Sequence, residues 1–238
     1  MAGILVIGGA SGLGGEIAEA FARQGDGVVL ADAEAPRFAV EHFVALDLAA
    51  TDAGGLAAGE AAARLGRLDA LVVAASAMES APIAEWTPAM WDRAAAINLR
   101  LPFLAVQASL PWLRVSDNAS VTVVSSTATM RGQPFTHAYQ ATKAGVAGLV
   151  RSLAAELGPD GIRVNAVLAG WLDTPLTRAY WAGREHAAAE REQVDGRIPL
   201  RRHGRAEEAA ALVRFLASPA ASYLTGAMLP VDGGDTAV

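Results

Sequence analysis

The chain has 238 residues, of which 53% are hydrophobic, a formal net charge of -6 and no cysteine. This composition is ample for a folded core, and it excludes a disulfide framework and a thiolate metal site, which fits a reducing compartment. The acidic balance argues against nucleic acid as a main partner, and the lack of a signal peptide or of an apolar run near ~20 residues predicts a cytoplasmic protein without a membrane partner.

The first predicted unit is a strand, a glycine-rich turn and a helix. The apolar run Ile4 to Ile7 precedes the turn G-G-A-S-G-L-G-G, and an amphipathic pattern from Ile17 to Arg23 follows. Gly8, Gly12 and Gly14 have the spacing G-x-x-x-G-x-G. Such glycines let the backbone bend tightly and place a pyrophosphate at the helix N-terminus. Alone the motif is weak, but its context favours a dinucleotide site.

A second buried strand, Gly27 to Ala31, is followed directly by Asp32, which lies 18 residues beyond Gly14. An acidic group at this strand end can accept hydrogen bonds from the adenosine ribose hydroxyls and would repel a 2'-phosphate. The alternative is an aspartate that only caps a turn. We therefore expect NAD as the cofactor in preference to NADP.

The next elements predict a doubly wound α/β sheet. A third strand, Phe43 to Leu46, and a fourth, Leu71 to Ala74, are separated by an alanine-rich helical stretch that ends at Gly66. The fourth strand is apolar throughout, as expected for a parallel strand covered on both faces. Strands that alternate with helices predict a single Rossmann-type domain over residues 1–238, with about seven parallel strands and helices on both faces.

A long helical pattern starts at Thr87-Pro88, which has the cap and first-turn signature of a helix start. It continues through Trp91 to Trp112, with Asn98 in its middle. A polar asparagine in an apolar helix usually marks a kink or faces solvent. The fifth predicted strand, Val121 to Val124, ends at Ser125 and Ser126, at the sheet edge where open α/β sheets bind ligands.

Tyr139 and Lys143 lie four residues apart, so on a helix their side chains share one face. A free phenol has a pKa near ~10, but a cation about 4 Å away contributes roughly 4 kcal/mol at an effective dielectric of ~20, enough to make it a usable base. A tyrosine and a lysine at this spacing also occur by chance on many helices. Lys143 is, however, the only lysine in the chain, beside eighteen arginines, which favours a role that needs an ammonium.

Together these motifs resemble the short-chain dehydrogenase/reductase family over nearly the whole chain. The glycines, Asp32 and the interval of 13 residues between Ser126 and Tyr139 match its pattern. So do the stretch I-R-V-N-A-V-L-A-G-W-L-D-T and the tail Y-L-T-G-A-M-L-P-V-D-G-G. The resemblance implies a catalytic tetrad of Asn98, Ser126, Tyr139 and Lys143. It implies cofactor contacts at Gly8, Ser11, Gly12, Leu13, Gly14, Asp32, Asp47, Leu48, Ala74, Ala75, Tyr139, Lys143, Gly170, Leu172 and Thr174.

The resemblance also implies a mechanism. The Tyr139 phenolate takes the proton of a secondary alcohol as hydride leaves for NAD, while Ser126 donates a hydrogen bond to the substrate oxygen. Lys143 lowers the pKa of the tyrosine and holds the nicotinamide ribose, and Asn98 supports a water chain from Lys143 to solvent. Residues 1–120 would form mainly the cofactor half and residues 121–238 the catalytic half.

Three departures from the family pattern leave other functions open. Ile7 precedes Gly8 where the family has threonine, V-A-A-S at residues 73–76 replaces N-N-A-G, and Ala169 replaces a proline. We expect tolerated structural changes, with Ser76 adding a side chain beside the cofactor. The alternatives are an NADPH-dependent 3-oxoacyl-thioester reductase and a non-catalytic dinucleotide-binding sensor or scaffold.

Substrate choice is predicted to lie in a lid over residues 174–200, which is rich in large and charged side chains. Trp171 is the expected substrate contact, whereas His137 and His203 are expected in a loop or at a helix cap. The segment suits a sugar or polyol, a cyclic alcohol, a steroid-like molecule or an acyl thioester. We expect no catalytic metal, because no His, Asp and Glu group has ligand spacing. By resemblance we expect a homotetramer, with a dimer as the alternative.

Overall fold

The structure, a computed structural model, describes residues 1–36, 38–182 and 184–238. Seven strands form one parallel sheet in the order β3-β2-β1-β4-β5-β6-β7. The strands are β1 (Gly3–Ile7), β2 (Gly27–Asp32), β3 (His42–Ala45), β4 (Ala70–Val73), β5 (Ser120–Ser126), β6 (Arg163–Ala169) and β7 (Met228–Val231). The strand order reverses between β1 and β4, which opens a crevice at their carboxyl ends. The predicted fold class is confirmed.

Helices cover both faces of the sheet. They are α1 (Gly12–Ala22), α2 (Ala53–Leu65), α3 (Pro88–Ala95), α4 (Leu101–Leu113), α5 (His137–Leu157), α6 (Pro175–Ala182), α7 (Ala187–Arg197) and α8 (Ala206–Ala217). One apolar core joins the sheet to α2, α4 and α5, and a second joins its other face to α1 and α8. Within the parts of the chain that the structure describes, none of the helices combines the length and apolarity of a membrane span.

Two predicted strands are displaced by one residue, because pairing with neighbouring strands decides where each one ends. The third strand is His42–Ala45 rather than Phe43 to Leu46, and the fourth is Ala70–Val73 rather than Leu71 to Ala74. In the fourth strand, Ala70 pairs with Ile4 on one side and Ser120 on the other.

The predicted long helix is interrupted. Thr87 caps α3 as expected, its hydroxyl accepting a hydrogen bond from the Met90 backbone N–H at 3.3 Å. A π-helical segment, Ala96–Arg100, then separates α3 from α4. Single π-turns of this kind alter the direction of a side chain within a helix and occur often at functional sites. Asn98 lies in this segment and is buried rather than solvent-facing.

Two of the residues that depart from the family pattern are buried in the apolar core. Ile7 and Val73 are paired in neighbouring strands and are fully enclosed in the same apolar cluster. Apolar side chains at these positions need no hydrogen-bond partner, so the replacement of polar groups leaves nothing unsatisfied there.

Candidate active site

A cavity of about 890 Å³ lies at the carboxyl ends of the strands that flank the crevice. It is large enough for a drug-sized ligand or more. Its wall contains Gly8, Ser11, Gly12, Leu13, Gly14, Asp32, Asp47, Leu48, Ala74, Ala75, Ser126, Tyr139, Lys143, Gly170, Leu172 and Thr174. The structure therefore brings together every predicted site residue except Asn98, although these residues are spread over most of the chain.

The glycine-rich turn is compact because side chains are missing where the backbone folds on itself. Gly8 has a φ of +85°, and a Cβ there would lie 2.2 Å from the Ala75 backbone nitrogen. A Cβ on Gly14 would lie 2.0 Å from the Gly8 carbonyl oxygen. Since α1 begins at Gly12 in the cavity wall, its unpaired N–H groups and positive dipole end suit a bound phosphate.

Asp32 is tied to the same turn. Its Oδ2 accepts a hydrogen bond from the Ala10 N–H at 2.8 Å, and its Oδ1 accepts one from the Ala33 N–H at 2.7 Å. The turn-capping alternative is thus present in the structure. A carboxylate has about four acceptor positions, so these two bonds fix the group and leave capacity for ribose hydroxyls. Glu34 lies in the same wall and adds a second acidic group.

Asp47 and Leu48 form another part of the cavity wall. Asp47 is exposed, and its Oδ1 accepts a hydrogen bond from the Ala49 N–H at 2.9 Å. Leu48 is buried. The pair therefore presents a fixed polar edge beside an apolar side chain, an arrangement that could hold a heterocyclic ring.

Ser126, Tyr139 and Lys143 meet at the opposite end of the cavity. Ser126 ends β5, and its Oγ accepts a hydrogen bond from the Ala128 N–H at 3.1 Å. Tyr139 lies in the first turn of α5 and Lys143 one turn later, so both point towards the strand end. The Lys143 Nζ donates to the Val124 carbonyl oxygen at 2.9 Å and lies 5.9 Å from the centre of the Tyr139 ring.

Burial shifts both titratable groups towards their neutral forms. The pKa of the Tyr139 phenol is raised because burial outweighs the nearby hydroxyls of Ser126 and Ser76, which lower it. The pKa of Lys143 is lowered to about 8 by its burial. The structure therefore differs from the expected lowering of the phenol's pKa, because the removal of water from the buried phenol outweighs the effect of the two neighbouring hydroxyls.

Asn98 holds the cavity wall from behind. Its Oδ1 accepts a hydrogen bond from the Ala77 N–H at 2.8 Å. Its Nδ2 donates to the Ala77 carbonyl at 2.9 Å and to the Thr142 hydroxyl at 3.1 Å. Because Thr142 precedes Lys143, this amide connects the segment after β4 to the helix that carries the tyrosine and the lysine. Its side chain is a positioning group, and the water chain expected of it stays a prediction.

An aromatic wall borders the space beyond Ser126. Trp171 stacks on Trp181 with 5.1 Å between ring centres, and the Tyr180 ring meets Trp181 edge-on at 5.0 Å. All three rings line the cavity, and the substrate contact expected of Trp171 stays a prediction. The Arg184 guanidinium packs over the Tyr180 ring at 4.3 Å and donates hydrogen bonds to the Tyr180 hydroxyl and to Glu190, each at 2.6 Å.

Sequence reasoning missed the polar residues that complete the wall. Glu190, Gln193 and Arg197 lie on one face of α7 and line the cavity. Arg197 also pairs with Asp235 near the C-terminus, with 2.7 Å between Nε and Oδ1, and Arg131 approaches the same carboxylate. The helical spacing within α7 was a usable signal, whereas nothing local connects residues 131, 197 and 235.

The two histidines lie where the sequence predicted them, His137 at the start of α5 and His203 in the loop before α8. His137 packs edge-on against Trp86, with 5.7 Å between ring centres. His203 is buried, with its Nδ1 2.6 Å from an Asp195 carboxylate oxygen, and packs beside Trp171 and Trp181. His203 therefore is the expected loop residue and in addition packs behind the aromatic wall.

Similarity to known proteins agrees with this arrangement. A family model described as Enoyl-(Acyl carrier protein) reductase matches residues 8–236. A probable galactose dehydrogenase of Rhizobium meliloti (strain 1021) is 36% identical, with 98% of this chain and 94% of the relative covered. Cis-4-hydroxycyclohexanecarboxylate dehydrogenase of Sinomonas cyclohexanicum is 38% identical, with 98% and 96% covered. The ligand-free aldohexose dehydrogenase of Thermoplasma acidophilum superposes with a TM-score of 0.93 at 28% identity, with 99% of this chain and 94% of that chain covered.

The chain belongs to the short-chain dehydrogenase/reductase family. It is an oxidoreductase that acts on CH–OH groups.

Proposed function

We propose that the protein transfers hydride between NAD and a secondary alcohol or its ketone. The observation that carries this proposal is the convergence of Ser126, Tyr139 and Lys143 in one cavity with the glycine-rich turn and Asp32. A protein that only needed to sense a nucleotide would have no use for a buried hydroxyl, phenol and amine at its far end.

The cofactor would be held along the whole length of the cavity. The turn and the start of α1 suit its pyrophosphate, and the acidic groups of Asp32 and Glu34 favour the free ribose of NAD over the phosphate of NADP. Gly170, Leu172 and Thr174 would face the nicotinamide end. When bound, the oxidised nicotinamide supplies the hydride acceptor and a positive charge.

The protein's own groups would manage one proton. In the oxidation direction, Tyr139 takes the proton of the substrate hydroxyl and Ser126 donates a hydrogen bond to the same oxygen. Lys143, anchored on the Val124 carbonyl, stabilises the phenolate and the cofactor ribose. Because the tyrosine and the lysine are buried, water is kept away from them. The proton of the substrate hydroxyl therefore passes to the Tyr139 oxygen rather than directly to solvent.

We further propose that the substrate carries its hydroxyl on a ring. The stacked rings of Trp171 and Trp181 offer a flat apolar surface, and the polar face of α7 offers hydrogen-bond partners opposite a polyol or a ring substituent. Two relatives whose names specify galactose and a hydroxycyclohexanecarboxylate act on ring compounds. Residues 174–200, which include α6 and α7, would form the lid over this ring.

A homotetramer is the proposed assembly. Phe103 on α4 is 42% exposed and Trp91 on α3 is 48% exposed, so apolar side chains are available on the helices expected to form contacts. Light scattering coupled to size-exclusion chromatography measures the assembled mass directly, and a monomer at micromolar concentration would contradict this assignment.

The deciding experiment pairs cofactor titration with turnover. NADH and NADPH are titrated by fluorescence, and cyclic alcohols, aldoses and their oxidised forms are then screened by absorbance with the preferred cofactor. Tyr139→Phe should bind NADH normally and lose turnover, while Tyr223→Phe, a control at a fully exposed tyrosine, should keep both. Tight NADH binding without turnover on any substrate would instead support a sensor. Preference for NADPH with turnover of an acetoacetyl thioester would support the acyl reductase.

A further inference from the structure

The segment after β4 is held at both ends. The Ala74 and Ala75 N–H groups donate to the Ile7 carbonyl at 2.8 and 3.1 Å. Two residues further on, both backbone polar groups of Ala77 are bound by the Asn98 amide at 2.8 and 2.9 Å. Ser76 lies between these anchors, so its backbone has little freedom and its side chain is aimed by the fold.

The Ser76 hydroxyl is buried at the cavity wall and, among the described residues, forms no hydrogen bond of normal geometry. A buried hydroxyl without a partner destabilises the fold, because it has lost its hydrogen bonds to water and gained none. A group with this cost in a fixed segment points to a partner that the working site provides. The hydroxyl lies near the Tyr139 phenol, on which its effect is to lower the pKa.

The proposed reaction creates such a partner. A serine hydroxyl has one proton to donate, and in the proposed mechanism the proton of Ser126 serves the substrate oxygen. Lys143 supports the phenolate of Tyr139 with its charge while its Nζ is bonded to the Val124 carbonyl. The buried phenolate oxygen is stabilised further by a hydroxyl donor other than Ser126. Ser76 lies three residues after the end of β4, and β4 pairs with β5, the strand that ends at Ser126.

We propose that Ser76 donates a hydrogen bond to the ionised Tyr139 oxygen. Ser126 would then stabilise the substrate oxygen, and Ser76 would stabilise the base. This inference rests on the proposed function and adds a residue to it. A donor to the phenolate favours the ionised form, so its removal raises the pKa of the base.

The test is the pH dependence of kcat/KM in both directions. In oxidation the phenolate is the active form, so Ser76→Ala should move the acidic limb upward by about one pH unit and lower kcat/KM at neutral pH about tenfold. In reduction the phenol is the active form, so the alkaline limb should move upward by the same amount. Ser76→Gly should give the same shifts, because it too lacks the hydroxyl.

The matched control is Ser109→Ala. Ser109 is a fully buried serine on α4 whose hydroxyl donates to the Ala105 carbonyl at 2.7 Å, so its loss should leave both limbs in place. NADH binding by each variant shows that the fold is intact. Tyrosine ionisation followed by ultraviolet absorbance, with the Tyr139→Phe titration subtracted, measures the phenol's pKa without turnover and should rise by the same unit in Ser76→Ala.

Three results separate the possibilities. Unchanged limbs and an unchanged phenol titration in Ser76→Ala would overturn the inference. Weaker NADH binding with unchanged limbs would also overturn it, because the hydroxyl would then serve the cofactor. Turnover that survives in Tyr139→Phe would instead remove the proposed function, whereas an inactive Tyr139→Phe beside a normal Ser76→Ala removes this inference alone.

Discussion

Replacement of Lys143 by methionine should separate the stability cost of this lysine from its chemical role. Lys143 is only 2% exposed, and burial lowers its pKa from 10.5 to about 8. The unfolded chain therefore binds more protons than the folded chain between these values, so the free energy of unfolding should rise with pH across this window. At ~1.4 kcal/mol per pKa unit, the shift corresponds to a cost of about 3 kcal/mol at neutral pH.

Methionine has a similar length and carries no charge, so it removes this cost and gives up one hydrogen bond to Val124, worth about 1 kcal/mol. Urea unfolding of both proteins at fixed concentration between pH 7 and 9.5, followed by tryptophan fluorescence, measures the difference. We expect the wild-type protein to gain about 2 kcal/mol relative to Lys143→Met over this range. The chain has no other lysine, so this window is free of competing amines of that type.

Parallel pH dependences in the two proteins would refute the reasoning. They would mean that the folded lysine titrates near its ordinary value and that water or a partner compensates its burial. The same variant should show less turnover in either case, so activity cannot substitute for the stability measurement.

Three further predictions concern the frame of the site. Asn98→Ala leaves both backbone groups of one residue unpaired and should cost about 2–4 kcal/mol of unfolding free energy in urea, with lower kcat; an unchanged kcat would remove its positioning role. Gly14→Ala places a Cβ 2.0 Å from a carbonyl oxygen, so the protein should unfold at a lower temperature and bind NADH more weakly in titrations. A wild-type unfolding temperature and affinity would show that the turn can relax around the added methyl group. Asp32→Asn should lower the preference for NADH over NADPH at least tenfold in paired titrations. An unchanged ratio of the two affinities would show that residues other than Asp32 select the cofactor.

Much of the fold was readable because its signals are local. The glycines at residues 8 and 14 are required by contacts within one turn, and the apolar strand runs reflect burial on both faces of a parallel sheet. The spacing of Tyr139 and Lys143 follows from one turn of α5. The predicted site residues could therefore be named from motifs, and all but one line the cavity.

The remaining parts depend on elements distant in sequence. The buried position of Asn98 requires the π-helical segment and the backbone of Ala77, which lies 21 residues earlier. The unpaired hydroxyl of Ser76 is visible only once its two neighbours are seen to be anchored on other elements.

The sequence by itself determined the doubly wound sheet and the glycine-rich turn, and it named the candidate reacting groups, because each depends on periodicity or spacing within a short segment. Only the tertiary structure decided the direction of the pKa shifts of Tyr139 and Lys143, because burial is set by what packs around them. It also decided that the aromatic wall and the polar face of α7 border one space. These segments are distant in sequence and come together only when the chain folds, so no local sequence pattern predicts their contact.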